Sequence, residues 1–200
     1  MAITISRIRK YLRDKFKMAG YHLGFDITTP PHVVKQEAIA DYQRSSGIRQ
    51  LVETGTYLGD MLAAQRSRFD TLFSVELSSE LFQRALTRFN GDAKIKLFQG
   101  DSSSKLEEIT RMLNDRAIFW LDGHYSGGIT AKGEKNCPVI EELNVIIKSP
   151  YQHIVLIDDA RLFNGTDDYP SLQEIETKFK SAGKGIKMSV RNDIIRILYV

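Results

Sequence analysis

Glu53, Glu76, Asp101, Asp122 and the pair Asp158-Asp159 each stand at or just after the end of an apolar run, in LVETG, SVELS, FQGDS, FWLDGH and VLIDDAR. Any one such acid is explained as a helix cap or turn former. Five runs in succession ending this way suggest a surface lined with carboxylates. Asp122, Asp158 and Asp159 form one set, because the runs they terminate should be neighbouring strands. Clustered carboxylates repel unless a cation or protons neutralise them, and oxygen-only ligands favour a hard ion, Mg²⁺ first, with Ca²⁺ and Mn²⁺ also fitting. The alternative is that one of these acids caps a helix and another pairs with Arg161. His124 lies two residues beyond Asp122. Alone it reads as an exposed loop histidine; beside a carboxylate-metal cluster it reads as a general base, since its imidazole is mostly neutral near pH 7. Gly123, Gly127, Gly128 and Gly133 around it suggest a loop able to close over an acceptor.

The second chemical feature is the stretch Leu51 to Asp60, LVETGTYLGD, an apolar strand end that runs into a turn with Gly55 and Gly59. Glycine there permits positive φ and close approach of a ligand to the backbone, and a following helix offers free N–H groups. The dinucleotide fingerprint needs a third glycine and a pyrophosphate on the helix N-terminus. Here Glu53 would face that anion, whereas it would welcome an amine or a sulfonium. The turn therefore favours S-adenosylmethionine over NAD; the plain alternative is an ordinary strand-turn-helix corner. An acid about twenty residues after such a turn commonly accepts from ribose hydroxyls, which is the place of Glu76. Asp101, one strand further, would reach the exocyclic amine of adenine. Ser102 reads equally as an assisting contact and as a helix cap.

These residues need a scaffold that brings strand ends together, and the chain alternates in the required way. Strands are expected at Gln50 to Thr54, Thr71 to Glu76, Lys94 to Gln99, Ala117 to Asp122 and His153 to Asp158. Helices are expected at Val33 to Arg44, Asp60 to Arg68, Ser79 to Phe89, Ser103 to Asn114, Cys137 to Lys148 and Ser171 to Ser181. Runs such as AIFWL and HIVLI fit strands buried on both faces of a parallel sheet. KMSVRNDIIRILYV, split by Arg191-Asn192-Asp193, signals a final hairpin. The expected class is α/β, a Rossmann-like doubly wound, mostly parallel sheet with helices on both faces, in which ligands bind beyond the carboxyl ends of the strands.

Two hundred residues with 42% hydrophobic and 26% charged content suit one core, here divided into a helical lead-in over 1–45 and a catalytic region over 46–200. Ile5, Ile8, Leu12 and Phe16 fall at helical spacing among Arg7, Arg9, Lys10, Arg13, Lys15 and Lys17. This basic helix reads as docking on the core or on a second subunit, the latter giving a homodimer; a membrane surface or acidic partner is the other reading. Positive charge is not interleaved with aromatics elsewhere, so no nucleic-acid partner is expected. Cys137 is the single cysteine, which leaves no internal disulfide. No apolar run suggests a transmembrane segment or signal peptide, so the expected location is cytoplasmic, and Asn164-Gly165-Thr166 reads as a turn.

VETGTYLGD, VELS, FQGDS, FWLDGH and VLIDDAR, in that order and spacing, resemble the class I S-adenosylmethionine-dependent methyltransferases from about Gln50 to the final hairpin. LDGH followed by IDDAR resembles the metal-dependent sugar O-methyltransferases of the macrocin and novobiocin type. The resemblance implies a seven-stranded sheet whose last strand is antiparallel. It also implies a cofactor set of Glu53, Thr54, Gly55, Thr56, Gly59, Glu76, Leu77, Asp101, Ser102 and Asp122, with Mg²⁺ or another hard cation on Asp122, Asp158 and Asp159. The implied reaction is O-methylation of a small-molecule or glycan acceptor, a saccharide or polyhydroxylated natural product, with His124 and Asp122 as catalytic residues. His124 stands where relatives carry an acidic residue. Tyr125, Tyr151 and Tyr169 are candidates for stacking on a sugar. Two other readings remain: an iron oxygenase like the cephalosporin hydroxylases, which would need two histidines beside a carboxylate, and a non-catalytic cofactor-binding scaffold.

Overall fold

A computed structural model describes residues 13, 16–21, 23, 29–123 and 137–200. Most of the basic N-terminal helix expected from the sequence, together with His124 and its glycine-rich loop, lies outside the described residues. The elements in chain order are α1 (His32–Ser46), β1 (Gln50–Thr54), α2 (Asp60–Gln65), β2 (Thr71–Glu76), α3 (Ser79–Arg88), β3 (Ile95–Gln99), α4 (Ser102–Met112) and β4 (Ala117–Leu121). They continue with α5 (Val139–Ile147), β5 (Ile154–Ile157), a 3₁₀ turn (Ala160–Leu162), α6 (Leu172–Ser181), β6 (Ile186–Arg191) and β7 (Ile194–Tyr199).

The strands form one seven-stranded sheet in the order β3-β2-β1-β4-β5-β7-β6. The first five are parallel, and β7 runs antiparallel to both β5 and β6. This is the Rossmann-like arrangement expected. All residues of β1, β4 and β5 are buried, which is why β4 and β5 read as continuous apolar runs. Their side chains alternate between two cores. Leu51, Ile118, Trp120 and Leu156 point to the face covered by α1 and α2, through Ile39, Met61 and Leu62. Val52, Phe119, Leu121 and Val155 point to the face covered by α4, α5 and α6, through Ile109, Leu143, Ile175 and Phe179. The β6-β7 hairpin turns on Asn192 and Asp193, both at positive φ (53° and 56°), as a two-residue turn with the twist of its strands demands.

Helix ends follow local chemistry. Gly47, at φ 68°, stops α1 and donates to the Gln43 carbonyl. Ser171 and Glu174 form a reciprocal capping box at the start of α6. The helix expected to run to Arg68 ends at Gln65, where Arg66 passes into a turn and its guanidinium pairs with Asp92. Pro138 caps α5 from outside, because a proline without N–H is tolerated before the first hydrogen-bonded turn.

His153 is fully buried just before β5. Its Nδ1 accepts the Ala117 backbone N–H at 3.0 Å, which fixes the proton on Nε2, 2.7 Å from the Ser149 hydroxyl. Burial, with Arg116 adding, pushes the imidazole down to about 4. A folded-state value below the unfolded one means that stability is fully present above about pH 6.5 and is lost as pH falls toward about 4, on the order of 3 kcal/mol in all. The denaturant stability of the wild type relative to His153→Gln should therefore be greater at pH 7 than at pH 4.5, the difference cancelling contributions of other titrating groups. An equal advantage at both values would contradict a buried neutral imidazole.

Candidate active site

The order of the sheet places β1 between β2 and β4, and chain connections leave β1 and β4 on opposite sides, so a crevice opens beyond their C-terminal ends. The crevice floor is set by backbone contact. Asp122 N–H donates to the Thr54 carbonyl at 3.1 Å, and Gly55 N–H donates to the Val75 carbonyl at 2.9 Å, so both neighbours of β1 stay attached past its end. Gly55 sits at φ 85°, and a Cβ there would stand 2.4 Å from the Asp122 carbonyl oxygen. The close approach that requires glycine is thus made by β4 itself. Gly59, at φ 76°, is required by a second intramolecular approach, since a Cβ would lie 2.6 Å from the Phe89 ring.

Under the turn, Glu53 is 1% exposed and accepts from the Ser74 hydroxyl at 2.6 Å, while Ser74 in turn lies 2.6 Å from the Thr56 hydroxyl. Burial raises the Glu53 carboxyl to about 8; the Ser74 hydrogen bond opposes the shift and Glu76 adds to it. Ser74 was not anticipated as a site residue, although a hydroxyl inside the apolar run TLFSVE was a visible signal of a buried partner. Thr54 is buried, and its hydroxyl oxygen has no hydrogen-bond partner among the described residues. Glu76, at the end of β2, accepts the Tyr57 N–H at 2.8 Å on one oxygen and the Ser78 N–H at 2.9 Å on the other. It fastens the glycine turn to β2 while keeping its second lone pairs. Beside it Leu77 and Tyr57 expose apolar surface, at 38% and 47%.

Asp101 is exposed and caps α4. One oxygen receives the Ser104 N–H at 3.1 Å and the Ser103 and Ser104 hydroxyls. Burial opposes the shift, but these bonds outweigh it and hold the carboxyl below its usual range. The cap is therefore Asp101, and Ser102 is the first helical residue.

At the end of β5 the fully buried Asp158 accepts from Lys35 Nζ at 2.5 Å on Oδ2 and from the Asp159 N–H at 2.8 Å on Oδ1. Asp159, at φ 52°, receives Arg161 at 2.8 Å and Lys35 at 3.4 Å. Arg161 is also held by Asp193 of the final hairpin. The pairing of Asp159 with Arg161 is the alternative that the sequence left open. Burial works to lower the Lys35 ammonium, but Asp158 first, then Asp122 and Asp159, outweigh it and raise it. Burial pushes the Asp158 carboxyl up, with Asp159 adding and Lys35 opposing. Among the described residues no group of three or more His, Cys, Asp or Glu side chains could hold a metal ion. The expected metal set of Asp122, Asp158 and Asp159 does not fit a divalent cation as arranged, because an ammonium already stands on two of its three acids. Lys35 was missed in the sequence.

Of the other histidines, His153 belongs to the core, and His32 Nδ1 lies 2.8 Å from the Gln36 amide on α1. Tyr151 precedes β5, at the end of the sheet away from the crevice. Tyr169 is buried edge-on against Phe163, 5.5 Å between centroids, and its phenol is raised to about 12 by burial, with Cys137, Asp159 and Asp122 adding. Tyr125 lies outside the described residues. Cys137 is buried, with a thiol raised to about 12 by burial, so it is chemically quiet.

No protein-family profile matches the chain, and no curated protein matches it. Solved structures do. An O-methyltransferase from Bacillus cereus in complex with S-adenosylhomocysteine superposes with TM-score 0.58 at 14% identity, covering 100% of this chain and 93% of that one. TomG from Streptomyces achromogenes, an O-methyltransferase of tomaymycin synthesis in complex with S-adenosylmethionine, gives 0.58 at 17% identity over 94% and 89%. The methyltransferase PaMTH1 from Podospora anserina, bound to S-adenosylhomocysteine, gives 0.56 at 12% over 100% and 98%. The chain shares its fold with these methyltransferases. Among the described residues no helix is long and apolar enough to cross a membrane.

Gly55→Ala should cost on the order of 3 kcal/mol of stability, because positive φ and the Asp122 carbonyl oppose the added methyl together. Urea unfolding of the variant checks this, and a loss within experimental error of zero would mean that β1 and β4 do not meet as described.

Proposed function

We propose that the protein transfers a methyl group from S-adenosylmethionine to a hydroxyl of a small-molecule acceptor, a saccharide or another polyhydroxylated compound. The observation that carries this reading is the pair of acids on neighbouring strand ends around one glycine turn. Glu53 lies beneath the turn and Glu76 beside it. Glu53 is suited to the cationic methionine end of the cofactor, Glu76 to its ribose hydroxyls, and the exposed Leu77 to the flat face of adenine. Thr54, Gly55, Thr56 and Gly59 shape the turn, Asp101 and Ser102 border the adenine end, and Asp122 stands at the meeting of cofactor and acceptor. The O-methyltransferases of like fold bound to S-adenosylhomocysteine or S-adenosylmethionine support the same cofactor.

The reaction needs three things from the chain. It must hold the sulfonium methyl in line with the acceptor oxygen, accept the proton that the hydroxyl loses, and exclude water. Alignment alone supplies about 7 to 11 kcal/mol in well-oriented reactions. His124 is the proposed proton acceptor, with Asp122 orienting it or the acceptor. A divalent metal would lower the pKa of the acceptor hydroxyl, as the resemblance to metal-dependent enzymes implies. In this chain Lys35 already stands on Asp158 and Asp159, so proton acceptance falls to the side chains alone. The N-terminal region over 1–45 is assigned to packing on the core, as α1 packs through Val34, Ala38 and Ile39, and to a homodimer contact.

Transfer of a labelled methyl from S-adenosylmethionine to a panel of sugars, polyols and phenols tests the reaction, and His124→Ala should lower the rate at least about a hundredfold. Failure to label any acceptor despite tight cofactor binding would favour the scaffold reading. For Glu53 the sign is fixed by its raised value of about 8. At pH 7 the free site holds its proton, and a bound ammonium draws out the carboxylate, so binding releases a proton. Calorimetric affinity for S-adenosylhomocysteine should rise from pH 6 toward about 8 and should weaken about tenfold in Glu53→Gln. Identical affinity in the variant would remove Glu53 from the cofactor site.

A further inference from the structure

The ammonium of Lys35 reaches the acid cluster from α1, across 123 positions of sequence, and is nearly enclosed there, its side chain 14% exposed. It is not a surface lysine resting on a convenient acid. The helix that delivers it is anchored by Ile39, fully buried among Leu51, Leu62 and Trp120, so the approach is set by core packing. Both oxygens of Asp158 are engaged, Oδ2 by Lys35 and Oδ1 by the Asp159 N–H. Asp159 is drawn toward Arg161, which Asp193 holds from the hairpin turn. A divalent cation entering between Asp158 and Asp159 would meet a like charge at bonding distance, in a buried place where water screens little. One cation can occupy that position, and the fold has supplied it.

We propose that Lys35 is the built-in cation of the acceptor end of the crevice, standing where a divalent metal would otherwise join Asp158 to Asp159, so that an acceptor hydroxyl is held without a metal ion. The last clause rests on the methyl-transfer reading, while the placement of the cation does not. Lys35 acts as a positioning residue: it fixes the orientation of Asp158 and offsets part of the negative charge of the cluster.

The experiment is calorimetric titration of Mn²⁺ into chelator-stripped wild type and Lys35→Gln, with S-adenosylhomocysteine titrated into both proteins in parallel. The wild type should show no saturable Mn²⁺ binding. Lys35→Gln should gain a site at least about tenfold tighter than any wild-type signal, because it removes the like charge standing on Asp158 and shared with Asp159. Adding Asp158→Asn to that variant should abolish the gain. Saturable Mn²⁺ binding by the wild type overturns the proposal, and so does the absence of a gain in a Lys35→Gln protein that still unfolds cooperatively. If Lys35→Gln does not fold, the wild-type titration decides alone. Loss of S-adenosylhomocysteine binding by the wild type, with the Mn²⁺ pattern as expected, would instead sink the cofactor reading and leave the Lys35 assignment standing.

Discussion

The ends of β1 and β4 meet backbone to backbone, and that contact needs a residue without a side chain. Gly55 leaves β1 at φ 85°, with the Asp122 carbonyl in the space that a Cβ would fill. Because Gly55 and Thr56 N–H groups both turn to the Val75 carbonyl on the other side, the strand end is clamped between its two neighbours. The consequences run outward. Glu53 is sealed below the turn, Glu76 is recruited to hold the turn from β2, and the Asp122 backbone is brought against Thr54 and Gly55. A bulkier residue at position 55 would separate strands whose register specifies the whole crevice.

Electrostatics divides that crevice into two unlike ends. At the β1-β2 end the acids face no buried cation among the contacts described, and Glu53 is relieved instead by a hydroxyl, Ser74, and by its raised affinity for a proton. Such a site gains most from a ligand that brings its own positive charge. At the β5 end Lys35 and Arg161 already stand on Asp158 and Asp159, with Asp193 in the hairpin turn as the outer support. That end suits a neutral, hydroxyl-bearing partner. A cationic donor at one end and a hydroxyl-bearing acceptor at the other is the arrangement under which the proposed methyl transfer would run.

The sheet was legible because parallel strands buried on both faces leave an unmistakable trace: AIFWL stands in the structure as β4, and IVLI of the run HIVLI as β5. The hairpin was legible from Asn192-Asp193, two residues that tolerate positive φ. The acids were legible because they sit next to those runs. What escaped was what depends on distant parts of the chain. Nothing local distinguishes Lys35 from other lysines, since its role is defined by an acid 123 positions away and by how α1 lies on the sheet. The capping role of Asp101 was not singled out in the sequence, although three groups of its own helix converge on one of its oxygens, which short-range capping chemistry could have foretold. Tyr169 looked like a candidate for stacking on a sugar and is instead buried against Phe163.

The central claim is that the β1-β2 end of the crevice binds S-adenosylmethionine rather than a dinucleotide. The most direct measurement is the thermal unfolding midpoint of the full chain with and without excess S-adenosylhomocysteine, with NAD as the control. Ligand at about 100 times its dissociation constant stabilises the native state by about 2.7 kcal/mol, which moves the midpoint by several degrees. A rise of that size with S-adenosylhomocysteine and none with NAD is the predicted result. No shift with S-adenosylhomocysteine, or an equal shift with NAD, would contradict the assignment of Glu53 and the glycine turn to this cofactor.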